Sequence, residues 1–282
     1  MKSTMTLLLA TLAVAAAFPV GQTNNTISSS GSNRRFLMYV PQNVTLPAPV
    51  MFAFHGFNND EECTMNNFGL RQLADLNKFI AVTPRGSGLP LQWNAGDCCG
   101  LSNSNDVQFF RDMVAKLRTM GSVDMNRIYS GGYSNGGYMS YRLACEASDL
   151  LAGIYPVAGA LSKETTFSCQ RQVKPIPAVH FHGTSDTVIR YSEALDSFSR
   201  YPKVAAMNCQ GSPAETFRQG TASCQAYQAC NGNGKVELCS FQGMPHAWPG
   251  AGQYCNSNSC GCGGPDDTIN AVQHAWNFFR NL

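Results

Sequence analysis

Apolar stretches of strand length alternate with amphipathic stretches of helix length along this chain, which predicts an α/β fold: a mostly parallel sheet covered by helices on both faces. Three observations carry the prediction. Pro49–His55 and Phe79–Thr83 are nearly unbroken apolar runs, the pattern of strands buried on both faces rather than one. Between them, Phe68–Lys78 places apolar residues at 68, 70, 73, 74 and 76, close to helical spacing. No linker or internal repeat divides the rest of the chain, so strand and helix keep alternating within one unit.

In order, Arg35–Val40 reads as a strand closed by Pro41, and Pro49–His55 as the first doubly buried strand. The helix 68–78 leads into the strand 79–83, which ends at Pro84. Asp106–Met120 is an amphipathic helix with Val107, Phe110, Val114 and Leu117 on one stripe and Gly121 as its stop. Arg127–Gly131 is a strand, Asn135–Glu146 a helix, and Gly153–Val157, Pro177–Phe181 and Val236–Phe241 are strands. Asp267–Asn281 is the closing helix.

Twenty Lys and Arg against 18 Asp and Glu leave a net charge of +2, so the chain lacks the basic footprint that nucleic acid or an anionic membrane surface requires. Lys2 followed by the apolar run Met5–Phe18 and the small residues Ala15–Ala17 reads as a secretory signal over residues 1–17. That run is too short for a membrane span, which needs roughly 20 apolar residues. A Ser/Asn/Gly-rich leader is expected over 18–33 and a single catalytic domain over 34–282. Asn24 and Asn43 head glycan-acceptor sequons, usable in a secreted chain.

Twelve cysteines fit an oxidising compartment. Five lie between 63 and 169 and seven between 209 and 262; both counts are odd, so full pairing requires a bridge between the groups. Cys98 and Cys99 are expected to take separate partners, one of them near Cys255, Cys260 or Cys262. No His interleaves the crowded stretch 255–262, so disulfides and no metal are expected there.

Gly132-Tyr133-Ser134-Asn135-Gly136 is a Gly-x-Ser-x-Gly sequence set between a strand and a helix, the context of a nucleophile elbow. The glycines allow a turn too tight for side chains, which leaves Ser134 at its apex. A serine hydroxyl needs a base, and the base an orienting carboxylate. Of five histidines, His246 lies in a loop after a strand, whereas His274 sits inside the last helix, where a packed or solvated role is expected. Asp186 follows the strand 177–181 and is the candidate acid; Glu193 and Asp196 fall in a helix-like stretch and read as surface. His182 precedes the acid and His55 reads as a structural histidine of its loop. Oxyanion donors, each worth roughly 2.7–4 kcal/mol, are expected from the Asn135 and Phe57 amides.

Taken together, His55-Gly56, Trp93–Gly100 with Asn105–Val107, Gly132–Cys145, Pro156–Gly159, His182–Asp186 and His246–Gly250 resemble the secreted feruloyl esterase and polyhydroxybutyrate depolymerase family of serine α/β-hydrolases. The resemblance spans about residues 35–282 in the same order. It implies an α/β-hydrolase fold, a Ser134–Asp186–His246 triad and hydrolysis of hydroxycinnamoyl or short acyl esters. Met244-Pro245 departs from the glycines the family usually has before the histidine, and Asn105 stands where an acid is common. The expected partner is an esterified plant polysaccharide or its oligosaccharides, with Trp93, Trp248 and Phe57 as aromatic contacts. Neither cofactor nor metal is expected, and the protein is expected to be an extracellular monomer. A polyhydroxybutyrate depolymerase ranks second, since such enzymes usually need a separate surface-binding module for which this chain has no room. A catalytically dead, disulfide-rich binding protein ranks third, against which the intact Ser, Asp and His argue.

Overall fold

The computed structural model describes residues 18–99, 102–254 and 268–282; the expected signal at 1–17 lies outside them. The chain runs through β1 (Gly21–Ser29), β2 (Ser32–Val40), β3 (Ala48–Phe54), α1 (Glu61–Asn67), α2 (Leu70–Asn77), β4 (Ile80–Pro84), α3 (Asp106–Met120), β5 (Val123–Tyr133), α4 (Asn135–Glu146) and β6 (Gly153–Val157). It continues through α5 (Lys163–Ser168), β7 (Ala178–Gly183), α6 (Tyr191–Arg200), β8 (Ala214–Gln219), β9 (Ala222–Tyr227), β10 (Val236–Phe241) and α7 (Ala271–Arg280). The strands form one ten-stranded sheet in the order β1-β2-β4-β3-β5-β6-β7-β10-β9-β8. Its six central strands are parallel, and each edge ends in antiparallel strands.

Period-2 alternation divides the apolar residues between two cores. In β3, Val50, Phe52 and Phe54 join the cluster under α3 and α4, while Met51 and Ala53 join the cluster under α2 and α7. Both faces are covered, which is why this strand reads as an unbroken apolar run.

The segment 18–33 differs from the leader expected of it. Gly21–Ser29 pairs along its whole length with Ser32–Val40, extending the sheet by one edge strand. Its alternating exposure follows a polar sequence with no apolar face to announce it. β8 and β9 escape sequence reading for the same reason: β8 is almost wholly exposed and β9 buries only Ala222, Cys224 and Ala226.

Parallel strands all point their C-terminal ends the same way, so the loops after β3, β5, β7 and β10 converge at one end of the sheet. β5 runs to Tyr133, and Ser134 turns the chain directly into α4. A Cβ on Gly136 would overlap the Phe54 carbonyl of β3, and one on Gly132 would crowd the Gly136 carbonyl. Both obstacles are backbone and cannot swing away. Gly136→Ala is therefore expected to lower stability by about 3 kcal/mol or more, seen as a drop of several degrees in a thermal melt.

Candidate active site

Ser134 holds φ 54° and ψ −118°, outside the left-handed well that non-glycine residues occasionally occupy. The turn is fixed from both sides: the Ser134 N–H donates to the Val157 carbonyl at 2.9 Å, and the Ser134 carbonyl accepts from Gly137 and Tyr138 at 2.8 and 3.1 Å. The side chain is 6% exposed, shielded but reachable at the C-terminal end of the sheet.

His246 and Asp186 are brought together from loops 60 residues apart, with Nδ1 of His246 lying 2.7 Å from Oδ2 of Asp186. The other carboxylate oxygen accepts the backbone N–H groups of Val188 and Ile189, both at 2.9 Å. Burial pushes the Asp186 carboxyl up, but hydrogen bonds from His182 and His246 and their charges outweigh it and hold the group well below the ordinary carboxylate range. Tyr133, immediately before the serine, donates its hydroxyl to the His246 carbonyl at 2.9 Å, and the two rings lie 4.9 Å apart. The histidine loop is thereby tied to the strand that delivers Ser134.

The strand–helix turn also organises the loop 93–99. The Asn135 side chain accepts from the Trp93 N–H at 2.7 Å and donates to the Trp93 carbonyl at 3.2 Å. Asp106, paired with Arg34 at 2.8 Å, accepts the Asn94 N–H at 2.7 Å. Sequence reading places Asp106 at the start of a helix and within the Asn105–Val107 block but gives it no role of its own.

Two expectations are corrected by the folded chain. Trp93 and Trp248, expected to touch substrate, are 1% and 0% exposed. Trp93 packs edge-on against Phe54 and donates to the His55 carbonyl at 2.9 Å, while Trp248 stacks on Phe68 at 4.1 Å. Both are core side chains, and Phe57, 40% exposed, is the expected aromatic contact that stays at the surface. The second correction concerns Cys98 and Cys99, which bond to each other across a left-handed turn at Cys99, φ 70°. Cys145–Cys169, Cys209–Cys230 and Cys224–Cys239 also pair. Cys63 is disulfide-bonded too, whereas Cys255, Cys260 and Cys262 lie outside the described residues. Asn24 and Asn43, the sequon asparagines, are both exposed.

The remaining histidines have structural partners. His55 accepts the Gly86 N–H at Nε2, 2.8 Å, and meets its own loop's Gly56 carbonyl at Nδ1, 2.7 Å. His274 pairs with Glu237 at 2.7 Å. Cys224, Glu237, Cys239 and His274 bring metal-ligand atoms within 4.8 Å of one another, but the two sulfurs are bonded to each other.

Burial lowers His55 to about 4, partly offset by its hydrogen bond with Gly56. Its folded value lies below the unfolded one, so the unfolded chain takes up the proton first as pH falls. Stability is full above about pH 6.5 and is lost between there and pH 4, by about 3 kcal/mol from this group. Denaturant melts at pH 7 and pH 4.5 should show the loss in the wild type and a smaller one in His55→Gln.

Residues 102–217 match the Phospholipase/Carboxylesterase family. The chain is similar to feruloyl esterase B of Piromyces equi, 33% identical over 171 residues, which cover 55% of this chain and 31% of that protein. It is also similar to poly(3-hydroxyalkanoate) depolymerase C of Paucimonas lemoignei, 24% identical over 287 residues covering 88% of this chain and 66% of the other. The chain thus spans less than two thirds of the length of either relative, and under a third of the first. The acetyl xylan esterase from Aspergillus awamori shares the fold at a TM-score of 0.66 and 12% identity, over 79% of this chain and 94% of that one. The chain has the α/β-hydrolase fold, and its sequence is similar to feruloyl esterases, an acetylxylan esterase/xylanase and polyhydroxyalkanoate depolymerases.

Proposed function

We propose that this chain is a secreted serine esterase that removes feruloyl or acetyl groups from plant cell-wall xylan. The observation that carries the mechanism is the joint placement of a backbone-constrained serine and an Asp186–His246 pair tied to the same turn through Tyr133. In this reading Ser134 Oγ attacks the ester carbonyl while His246 Nε2 takes its proton. Negative charge gathers on the former carbonyl oxygen, and the Asn135 and Phe57 amides donate to it. Collapse expels the alcohol, which takes the proton from His246 and leaves an acyl-serine. Water, deprotonated by the same imidazole, then releases the carboxylic acid. Asp186 keeps Nδ1–H of His246 pointed at itself, so that Nε2 is the nitrogen free to accept. An imidazolium cannot accept, so activity falls on the acid side.

Secretion rests on the apolar N-terminal run and the cysteine content, and glycosylation on the exposed Asn24 and Asn43. The chain is proposed to act as a monomer without cofactor. A depolymerase of polyhydroxyalkanoate is a second reading, favoured by the length of the match to the Paucimonas protein. Methyl ferulate, acetylated xylan and polyhydroxybutyrate films, offered to the purified protein, separate the two. Release of ferulate or acetate with intact films supports the first; film clearing without either overturns it.

A further inference from the structure

His182 and His180, neighbours on the same face of β7, form a buried hydrogen-bonded file that begins at Asp186 and ends at Tyr141 of α4. His182 Nε2 faces two acceptors, the Ile189 carbonyl at 2.8 Å and Asp186 Oδ2 at 3.3 Å. A ring nitrogen between two oxygens must carry a hydrogen. At the other side of that ring, Nδ1 lies 3.1 Å from His180 Nε2. His180 Nδ1 in turn lies 3.0 Å from the Tyr141 hydroxyl, and it is the acceptor the described structure offers that hydroxyl. Tyr141, His180 and His182 are fully buried or nearly so.

These contacts fix every proton in the file. Tyr141 donates to His180 Nδ1, His180 Nε2–H donates to His182 Nδ1, and His182 Nε2–H donates to Ile189 and Asp186. Reversing the file would aim an unprotonated nitrogen at a carbonyl and a carboxylate and leave two buried acceptors facing each other.

We propose that His182, held as its Nε2–H tautomer by Tyr141 and His180, is a positioning residue for the triad carboxylate. Its N–H shares Asp186 Oδ2 with His246. Together with the two backbone N–H groups on Oδ1, it fixes the carboxylate plane and tempers the charge that His246 feels. The inference rests on the esterase reading for its kinetic readout and on geometry alone for its tautomers. Other titratable groups that face the file or Asp186 are Tyr133 of β5, Tyr138 of α4 with its partner Glu193, Tyr191 and Arg200 of α6, and Tyr201. Burial keeps His180 far below the ordinary imidazole range, so no proton enters from that end.

Ring 15N–1H correlation spectra of the wild type should show Nε2–H tautomers for both His180 and His182. An Nδ1–H tautomer at either ring would overturn the assignment. His182→Leu removes the donor; kcat on a soluble ester should fall about tenfold with KM unchanged. The acid limb of kcat/KM should move to higher pH, because a carboxylate with one donor fewer holds the imidazolium more strongly. His182→Gln, which returns an N–H near the same place, should restore the pH profile and most of kcat. A packing role alone would lower thermal stability in His182→Leu and leave the acid limb where it was, which sinks the proposal. If His182→Leu does not fold, the spectra and the Gln variant decide. A wild type inert toward every ester would refute the esterase reading and leave the tautomers readable.

Discussion

Ser134→Ala is expected to lower kcat toward a soluble ester by on the order of 10⁴–10⁶-fold while leaving the melting temperature almost unchanged. Removing Oγ takes away the only atom that forms the acyl-enzyme. The backbone bonds that hold the turn, Ser134 N–H to Val157 and the Ser134 carbonyl from Gly137 and Tyr138, do not involve the side chain. Alanine meets the same backbone conformation that serine already tolerates. A fluorophosphonate reagent should correspondingly place one label per chain, on Ser134, and none on the variant. Activity above a few per cent in the purified alanine protein, or a label mapped elsewhere, removes Ser134 from the mechanism and revives the inactive binding protein as a reading.

Asp186→Asn should reduce kcat by roughly 10³–10⁴-fold, although it changes one atom and almost no volume. Two backbone N–H groups converge on Oδ1, so the amide oxygen must take that place. The amide NH₂ is then left facing His246 Nδ1 and His182 Nε2–H. Against His246 it donates, which makes Nδ1 the acceptor and puts the hydrogen on Nε2, the nitrogen that has to receive the serine proton. Against His182 it sets donor facing donor. The defect is one of tautomer, so raising pH should not rescue it. A variant with wild-type kcat would place the triad acid elsewhere.

The parts of this molecule that sequence exposes are those whose chemistry is local. Doubly buried strands such as β3 and β4 leave unbroken apolar runs, and Gly132 and Gly136 are legible because a turn with backbone packed on backbone admits no side chain. Asp186 and His246 are readable from their positions just past predicted strands. β1, β8 and β9 are not, because an edge strand with polar residues on its open face has no apolar pattern to display. Trp93 and Trp248 show a different limit: an aromatic residue beside a candidate catalytic motif reads alike whether it would touch a ligand or pack in the core, and here both pack in the core. The Cys98–Cys99 pairing turns on the conformation of one residue, Cys99, which spacing along the chain does not encode. His182 is visible as a histidine, but its function depends on Ile189, His180 and Tyr141, three contacts made only in the folded chain.

Phe18, just ahead of β1, bears on the proposed secretion of this chain. Its ring is buried against Gly121 at the end of α3, so closely that a Cβ on that glycine would strike it. Removal of residues 1–17, proposed for a secreted form, would leave this aromatic as the first residue with its anchorage intact. A cut one bond later discards a core side chain and opens the space between β1 and α3. If the proposed secretory signal is removed, the packing of Phe18 thus sets how far trimming can proceed without loss of a core side chain.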